Sequence, residues 1–114
     1  MTKSIQPHLV LITRALTQIE QYRPADRETF LSFPMVQDAI LMRLQVIGEN
    51  LARIRRLDAE LFSDPAHNSW HKLIGLRNVI SHGYESIDQA EIWEIVTEEL
   101  PVFAATISAM TDER

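Results

Sequence analysis

The chain has 114 residues, no cysteine, and a formal net charge of −5 from 11 basic and 16 acidic side chains. Its length predicts one domain, residues 1–114, because independent domains typically have about 100–200 residues. The acidic balance argues against a protein that coats DNA by neutralising many phosphates. Without cysteine, the chain has no disulfide, thiolate metal ligand or thiol nucleophile, and this composition is typical of a reducing cytoplasm.

The sequence also lacks the signals of a membrane or secreted protein. No apolar run approaches the roughly 20 residues of a membrane span. Residues 1–11 lack the charged-then-apolar order of a signal peptide. We therefore expect a cytoplasmic protein that has neither a membrane nor DNA as its partner.

Helical periodicity predicts an all-α fold. Apolar residues recur every three to four positions, and no alternating run is long enough for a sheet. The first helix is predicted over residues 5–22, with Ser4 as its cap and Pro7 in its first turn, where backbone amides lack partners. After it, Asp26 can cap a short helical turn.

The second predicted helix, from about Pro34 to Leu57, has two apolar faces. The stripe that should face the core consists of Val36, Ile40, Leu44, Ile47, Leu51 and Ile54. A second set must also be buried, either centrally in the bundle or against another copy of the chain, and consists of Met35, Ala39, Met42 and Val46. Gly48 lies mid-helix at a cost of about 1 kcal/mol relative to alanine, which predicts a close backbone approach there.

Residues 63–69 are predicted to be a loop, because turn-forming residue types dominate them. A third helix follows from about Ser69, whose hydroxyl could cap it, and ends at Gly83. Gly83 is suited to the left-handed backbone conformation that often follows a helix end.

The last helix is predicted over about residues 88–110, with Asp88 as its N-cap. Pro101 should kink or restart this helix. Its inward-facing residues are predicted to be Ile92, Trp93, Val96, Leu100, Phe103 and Ile107.

Two histidines stand at a spacing that could suit a metal. On a helix, His67 and His71 would aim both rings at one ion, because they are four residues apart. His67 precedes the predicted helix, however, and neither a third ligand nor a His-Glu-x-x-His motif accompanies the pair. We therefore interpret them as surface histidines and expect no metal and no cofactor.

The segment from Gly75 to Tyr84 differs from ordinary bundle sequence because it mixes polar and apolar residues irregularly. In a regular helix, Arg77 and His82 would project about 140° apart and could not share a site. If the helix ends at His82 and the chain folds back at Gly83, the imidazole could approach the guanidinium.

Such a pair suits phosphate chemistry. Arg77 would act as a forked donor that matches a phosphate and the charge growing on it, and His82 would supply acid or base near neutral pH. Together, without a metal, they could help a ribose 2′-hydroxyl attack its neighbouring phosphate and break an RNA chain. The alternative is structural: Arg77 pairs with an acid on a neighbouring helix, His82 caps its helix and Tyr84 packs.

With its flanks, this segment resembles the HEPN superfamily, and most closely the HepT branch, which is the toxin half of HepT/MntA toxin–antitoxin pairs. The branch's Arg-x4-His-x-Tyr pattern is matched by Arg77, His82 and Tyr84, and Asn78 matches the polar residue that follows the arginine. The flanking matches are Ile47-Gly48-Glu49, Trp70, Gly75-Leu76, Ile87-Asp88 and Trp93, and the resemblance covers about residues 5–108. Asn50 departs from the pattern, since relatives often have a small residue there.

The resemblance implies an antiparallel bundle of four to five helices that forms a homodimer, with motifs from both subunits facing one cleft. It implies a metal-independent endoribonuclease in which Arg77 stabilises the transition state, His82 is the general acid or base, and Asn78 orients one of them. It also implies control by an MntA-like nucleotidyltransferase antitoxin, which uses ATP to attach AMP to Tyr84. The added phosphate charge and bulk would exclude RNA.

Two further charged features bear on this interpretation. Basic residues concentrate in the run from Arg53 to Arg56; such runs are usually solvated helix faces, but with two copies of Arg77 this one could form a local basic groove. Glu49 is a carboxylate on an apolar helix face and needs a partner. Arg77 is the attractive candidate, and solvent exposure of Glu49 is the alternative.

Two other functions stay open. The chain could be a non-catalytic HEPN adaptor or nucleotide-binding partner of a nucleotidyltransferase, or a plain helical oligomerisation module. The intact pair of Arg77 and His82 favours the ribonuclease. No base-reading arrangement is visible, so the sequence does not identify the RNA that would be cut.

Overall fold

The computed structural model describes residues 5–112, which contain helices and no strand. The α-helices are α1 (Gln6–Tyr22), α2 (Arg27–Leu31), α3 (Pro34–Leu57), α4 (Asn68–His82), α5 (Gln89–Glu94) and α6 (Leu100–Asp112). Short 3₁₀ turns lie at Ala59–Ser63, Pro65–His67 and Tyr84–Ser86, and a π-helical turn at Ile95–Glu99 joins α5 to α6. The all-α prediction is confirmed. Among these described residues, no helix is both long and apolar enough to cross a membrane.

The central helix is α3, which packs against α1 on one side and α4 on the other. On the α1 side, the Nδ1–H of His8 donates to Oδ1 of Asn50 at 3.0 Å, and Nη1 of Arg43 donates to Oε1 of Gln18 at 3.0 Å. The later residue of α1 contacts the earlier residue of α3, so the two helices are antiparallel. With 24 residues, α3 is about 36 Å long and can support both neighbours along its length.

α3 and α4 approach each other closely at Gly48. A Cβ placed on Gly48 would lie 2.8 Å from the carbonyl oxygen of Leu73 and 2.9 Å from Cβ of Arg77. Further along, Nε2 of Gln45 donates to Oγ of Ser81 at 2.7 Å. The predicted close backbone approach is confirmed, and it fixes the antiparallel register of α3 against α4.

Aromatic side chains fill the core between these helices and α6. Trp70 is fully buried and meets the ring of Phe103 edge-on, with 6.2 Å between ring centroids. Phe30 is also fully buried, and its centroid lies 5.3 Å from that of Trp93. The predicted α3 stripe is buried except for the half-buried Val36. Burial of each such large side chain stabilises the fold by about 1.5–3 kcal/mol.

Two of the predicted helix caps are present. Oδ1 of Asp26 accepts the N–H of Thr29 at 2.8 Å, and Oδ1 of Asp88 accepts the N–H of Ala90 at 3.0 Å. The predicted cap at Ser4 lies outside the described residues. The two aspartates therefore set where α2 and α5 begin, because each satisfies a backbone amide that the helix leaves free.

The helical prolines occupy positions that a helix tolerates. Pro7 lies in the first turn of α1, as predicted. Pro101 is the second residue of α6, which begins at Leu100 directly after the π-helical turn, so the predicted restart of the last helix is confirmed. At both places the missing N–H of proline interrupts no long run of α-helical hydrogen bonds.

The prediction of a loop over residues 63–69 is wrong. This stretch contains the end of one 3₁₀ turn, the whole of Pro65–His67, and the first residues of α4. The helix begins at Asn68, one residue before the predicted Ser69 cap, and His67 stands at the N-cap position, where its side chain makes no capping hydrogen bond. The chain turns here by 3₁₀ geometry, which has no long sequence period to reveal it.

The interpretation of both histidines as surface residues is wrong for His67. Its side chain is only 8% exposed, and its ring stacks on Trp70 with 4.0 Å between centroids. Its Nδ1–H donates to the carbonyl oxygen of Leu61 at 2.6 Å. The 3₁₀ turn presses this ring against the aromatic core, whereas His71 is exposed as predicted.

Gly83 ends α4, as predicted, but not in a left-handed conformation. Its φ is −134° and its ψ is 38°, and its N–H donates to the carbonyl oxygen of Val79 at 2.8 Å. The left-handed expectation is therefore wrong. The 3₁₀ turn at Tyr84–Ser86 carries the chain onward instead, and this turn needs no positive φ.

The second apolar set of α3 is only partly covered within the chain. Met35 is 71% exposed and Met42 is 52% exposed, while Ala39 and Val46 are half-buried. The expectation that a central position in the bundle buries this set is wrong. Its other predicted cover, a second copy of the chain, stays a prediction.

We predict that Gly48→Ala destabilises the fold, although alanine favours a helix by about 1 kcal/mol. The new Cβ would overlap a backbone carbonyl and a Cβ of α4, which cannot move aside independently of the helix. Overpacking of this kind typically costs about 1–3 kcal/mol. The free energy of unfolding in urea measures the effect.

Gly75→Ala is the matched control, because a Cβ at Gly75 would meet nothing within 4 Å. There the helix propensity of alanine acts alone and should raise the free energy of unfolding. If both substitutions stabilised the protein equally, the contact at Gly48 would not be the constraint described above.

Candidate active site

An open pocket of about 490 Å³ lies where α3 faces α1 and α4. Charged, amide, hydroxyl and apolar side chains line it: Leu11, Met42, Gln45, Val46, Glu49, Asn50, Arg53, Arg77 and Ser81. Of the predicted site residues, Glu49 and Arg77 belong to this lining. The structure thus brings the motif arginine to a concave, accessible surface that is formed by α1, α3 and α4.

One carboxylate in this pocket holds two arginines. Oε1 of Glu49 accepts a hydrogen bond from Nη1 of Arg77 at 2.7 Å, and Oε2 accepts one from Nε of Arg53 at 3.2 Å. Glu49 and Arg53 are neighbours because four residues separate them on α3. Arg77 reaches the same carboxylate because Gly48 lets α4 come close. The predicted pairing of Glu49 with Arg77 is confirmed.

The two arginines keep Glu49 in its charged form. The hydrogen bond from Arg77 is the largest effect, and with a smaller one from Arg53 it outweighs burial and lowers the pKa of the Glu49 carboxyl. The Arg77 side chain is 25% exposed and the Arg53 side chain 52% exposed. Two cations around one anion leave a local positive charge that an incoming phosphate can reach.

His82 lies on a different face of α4 from Arg77. The helix continues through His82, and the N–H of Gly83 still bonds to Val79, so no fold-back occurs before the helix ends. Side chains five residues apart on such a helix point about 140° apart. The expectation that the turn swings His82 toward Arg77 is therefore wrong for a single chain. The His82 side chain is exposed, outside the lining of the pocket.

Asn78 shares the exposed face of His82. It directly follows Arg77, is exposed, and lies four residues before His82, which places the two side chains one helical turn apart. Val79 between them is 47% exposed. The motif therefore has two parts, one turned into the pocket and one turned to solvent beside it.

The hydroxyl of Tyr84 donates a hydrogen bond to the carboxylate of Asp38 at the N-terminal end of α3. Tyr84 is 50% exposed. The bond to Asp38, followed by burial and the negative charge of the carboxylate, raises the pKa of the Tyr84 phenol. Sequence reasoning missed Asp38. The signal that could have found it is the antiparallel register, in which each turn forward on α4 corresponds to one turn back on α3.

Asn50, the departure from the family pattern, is accommodated by hydrogen bonds. It is 5% exposed, its Nδ2 donates to the carbonyl oxygen of Val46 at 2.9 Å, and its Oδ1 accepts from His8 at 3.0 Å. His8, which sequence reasoning did not single out, therefore provides the partner for the buried amide oxygen.

His67, in a 3₁₀ turn, and His71, on α4, make contacts with different carbonyl groups. Nδ1 of His67 bonds to Leu61, and Nε2 of His71 lies 3.4 Å from the carbonyl oxygen of Phe62. Across residues 5–112, no three His, Cys, Asp or Glu side chains are grouped so that they could hold a metal ion. The His67 ring stacks on Trp70, and the His71 ring lies edge-on to Phe62 with 5.3 Å between centroids.

Residues 12–110 match the sequence model of the HepT-like family, described as ribonuclease HepT-like. The chain belongs to this family, because the match covers most of its length. The all-α fold agrees with this membership. No solved structure gives a significant match.

Several curated proteins are similar to the chain. It is 32% identical over 83 residues to a "Putative RNase" of Methanocaldococcus jannaschii, a match that covers 73% of each protein. It is 26% identical over 83 residues to a "Putative RNase" of Caldanaerobacter subterraneus, covering 73% of this chain and 71% of the relative. These names, together with the family, support a ribonuclease-type function.

A longer relative from Methanocaldococcus jannaschii is named "Gamma-glutamylcyclotransferase and putative RNase". It is 25% identical to the chain over 114 residues, which are 99% of this chain but 50% of the relative. The chain thus spans half of that protein. The name covers two activities, and the match does not divide them between its halves.

We predict that Asp38→Asn lowers the pKa of the Tyr84 phenol toward its ordinary value. The amide can still accept the hydroxyl hydrogen, but it carries no negative charge to oppose the phenolate. Ultraviolet titration of the phenolate in a Tyr22→Phe background measures Tyr84 alone, because the chain has 2 tyrosines. An unchanged titration curve would contradict the contact between Tyr84 and Asp38.

Proposed function

We propose that this chain is a metal-independent endoribonuclease toxin that acts as a homodimer in the cytoplasm. The proposal rests on the position of Arg77 in a HepT-like chain. Its Nη1 lies 2.7 Å from Oε1 of Glu49 at an open pocket. His82 and Asn78 lie exposed beside it. No cofactor or metal is required by the reaction that these residues suit.

Arg77 and His82 divide the chemistry of RNA cleavage between charge and proton transfer. The ribose 2′-oxygen attacks the neighbouring phosphorus while the bond from phosphorus to the 5′-oxygen breaks. A base takes the 2′-hydroxyl proton and an acid gives a proton to the leaving 5′-oxygen; His82 fills one of these roles. Arg77 stabilises the charge on the phosphoryl oxygens in the transition state, and Asn78 orients one of the two. The products end in a 2′,3′-cyclic phosphate and a 5′-hydroxyl.

A homodimer would reconcile the separate faces of the motif. Because Arg77 and His82 point about 140° apart on one helix, a cleft shared by two copies is the simplest way to bring a guanidinium and an imidazole to one phosphate. The exposed Met35 and Met42 supply an apolar surface on α3 for that contact. Two copies of the pocket would also double the local positive charge.

Tyr84 is the proposed point of control. An MntA-like nucleotidyltransferase antitoxin would present ATP to it, and the tyrosine oxygen would attack the α-phosphorus as pyrophosphate leaves. The hydroxyl proton is lost to Asp38, its hydrogen-bond partner, or to water. Tyr84 is half exposed and lies two residues after His82, so an attached AMP would add negative charge and bulk next to the motif.

The second candidate function is a non-catalytic adaptor or nucleotide-binding partner of a nucleotidyltransferase. The arrangement within one chain favours it, because Glu49 already neutralises much of the charge of Arg77 and His82 lies elsewhere. An adaptor would use the same exposed face for a protein or nucleotide and would cleave nothing. RNA cleavage by the purified protein separates the two functions.

We predict that purified wild-type protein cleaves total RNA in excess EDTA and leaves 2′,3′-cyclic phosphate ends. Arg77→Ala and His82→Ala should each lower the rate at least about a hundredfold, since general acid–base catalysis alone typically contributes that much. Mapping of the product ends and circular dichroism of each variant make the measurement. His71→Ala, at an exposed histidine of the same helix, is the matched control and should cleave normally.

Absence of cleavage by unmodified, dimeric wild-type protein would shift the assignment to the adaptor. Full activity of folded His82→Ala would reject the catalytic role of the histidine. The intact mass of the purified protein is measured first, because attached AMP would itself silence the enzyme.

We predict that co-expression with a nucleotidyltransferase encoded beside this gene adds AMP to Tyr84 and relieves growth inhibition. Intact-mass spectrometry should show the addition on wild-type protein and on the Tyr22→Phe control, but not on Tyr84→Phe. The Tyr84→Phe protein should stay toxic in the presence of that enzyme. AMP addition to Tyr84→Phe would place the modification at another residue.

A further inference from the structure

We infer that Arg53 is a second phosphate-binding residue, which takes the phosphodiester flanking the scissile one in a single-stranded RNA substrate. The inference rests on the proposed ribonuclease function and extends it from the reacting phosphate to the next one along the strand. Nothing in the Arg-x4-His-x-Tyr pattern includes this residue, because it lies on α3 rather than on α4.

The geometry of the Glu49 carboxylate joins Arg53 to Arg77. One oxygen of Glu49 accepts from Arg77 at 2.7 Å and the other accepts from Arg53 at 3.2 Å. The two guanidinium groups are therefore separated by the width of one carboxylate and its two hydrogen bonds. An RNA strand that presents one phosphate to Arg77 thus carries its next phosphate past Arg53.

Arg53 has donors to spare for such a contact. A guanidinium carries five N–H donors, and within residues 5–112 only the Nε of Arg53 is engaged, by Glu49. Its side chain is 52% exposed, against 25% for Arg77, and it lines the same pocket. Because Glu49 occupies only Nε, a phosphate can bind the Nη groups without displacing Glu49.

The pairing with Glu49 also gives the two arginines different tasks. Arg77 is the less exposed and more tightly held, which suits the fixed geometry that transition-state stabilisation needs. Arg53 is the more exposed and more loosely held, which suits capture of a flexible strand through its backbone. A contact of this kind strengthens substrate binding and leaves the chemical step unchanged.

Arg56 provides the matched control. It is an exposed arginine on the last turn of the same helix, but it does not line the pocket, and no contact with Glu49 is present. Arg53→Ala and Arg56→Ala therefore remove the same charge from the same helix. Only the first removes a donor from the pocket.

The test uses full-length protein and a single-stranded RNA oligonucleotide that contains a mapped cleavage site, with a 2′-deoxy substitution there for binding. Arg53→Ala should weaken binding about tenfold, as expected for loss of a hydrogen bond to a charged group. The slope of log affinity against log salt should fall by about 0.7, the value for one single-strand phosphate. Arg56→Ala should leave the slope unchanged.

Kinetics and a modified substrate locate the contact. With cleavable RNA, Arg53→Ala should raise KM and leave kcat unchanged. A neutral methylphosphonate at the flanking phosphate should weaken wild-type binding as the variant does, and should add nothing to Arg53→Ala. Arg53→Gln keeps a donor for Glu49 but lacks the cation, so it should behave like Arg53→Ala, and Arg53→Lys should restore most of the affinity.

Three results would overturn the inference. A lower kcat with unchanged KM would mean that Arg53 acts through Glu49 on Arg77, and normal binding by Arg53→Gln would mean the same. Equal effects of Arg53→Ala and Arg56→Ala on RNA affinity would mean that Arg53 contributes only its positive charge and no specific phosphate contact. All of these require that wild-type protein cleaves RNA; failure of cleavage rejects the proposed function instead, so the two failures are distinguishable.

Discussion

The missing side chain at Gly48 is the constraint on which the arrangement of the pocket depends. With a carbonyl oxygen of α4 only 2.8 Å from the place of its absent Cβ, α3 and α4 are in backbone contact at this point. A helix pair with side chains at the crossing would be wider, and Arg77 would then not reach Glu49 at hydrogen-bond distance. The helix propensity lost at one residue is thus offset by packing and by an ion pair directly beside it. Stability and the geometry of the site share one cause.

The same crossing fixes which side chains meet along the rest of α3. One turn from Glu49 and Arg77, the antiparallel register sets Gln45 against Ser81, and beyond the end of α4 it sets Asp38 near Tyr84. Arg77 and Ser81 lie on the face of α4 that meets α3. His82 lies outside this face, because its separation of five residues from Arg77 is not a whole number of helical turns. The register therefore places Arg77 in the pocket of its own chain. It leaves His82 exposed to solvent, where another surface can contact it.

Much of the fold follows from sequence periodicity, and much of what does not follow depends on tertiary contact. The bounds of α3, Pro34–Leu57, agree with prediction because a proline starts the helix and an unbroken apolar stripe continues it. The Glu49–Arg77 pair was predictable because a carboxylate on an apolar face requires a partner. The burial of His67 was not, since it depends on a 3₁₀ turn and on stacking against Trp70, neither of which has a sequence period. Asp38 was hidden for a related reason: its role exists only once the helix register is known.

The distribution of charge shows how an acidic protein can still offer a site to a polyanion. The net charge of −5 describes the whole chain, but five of its 16 acidic side chains lie between Asp88 and Glu99, where Glu99 also accepts a bond from Lys72 at 2.7 Å. The guanidinium groups of Arg53 and Arg77 face a different surface, the pocket between α3 and α4. At physiological ionic strength the Debye length is about 8 Å, so charges on distant helices are screened from an anion at that pocket. The local excess of two cations over one carboxylate, rather than the total charge, is what a phosphate at the pocket experiences.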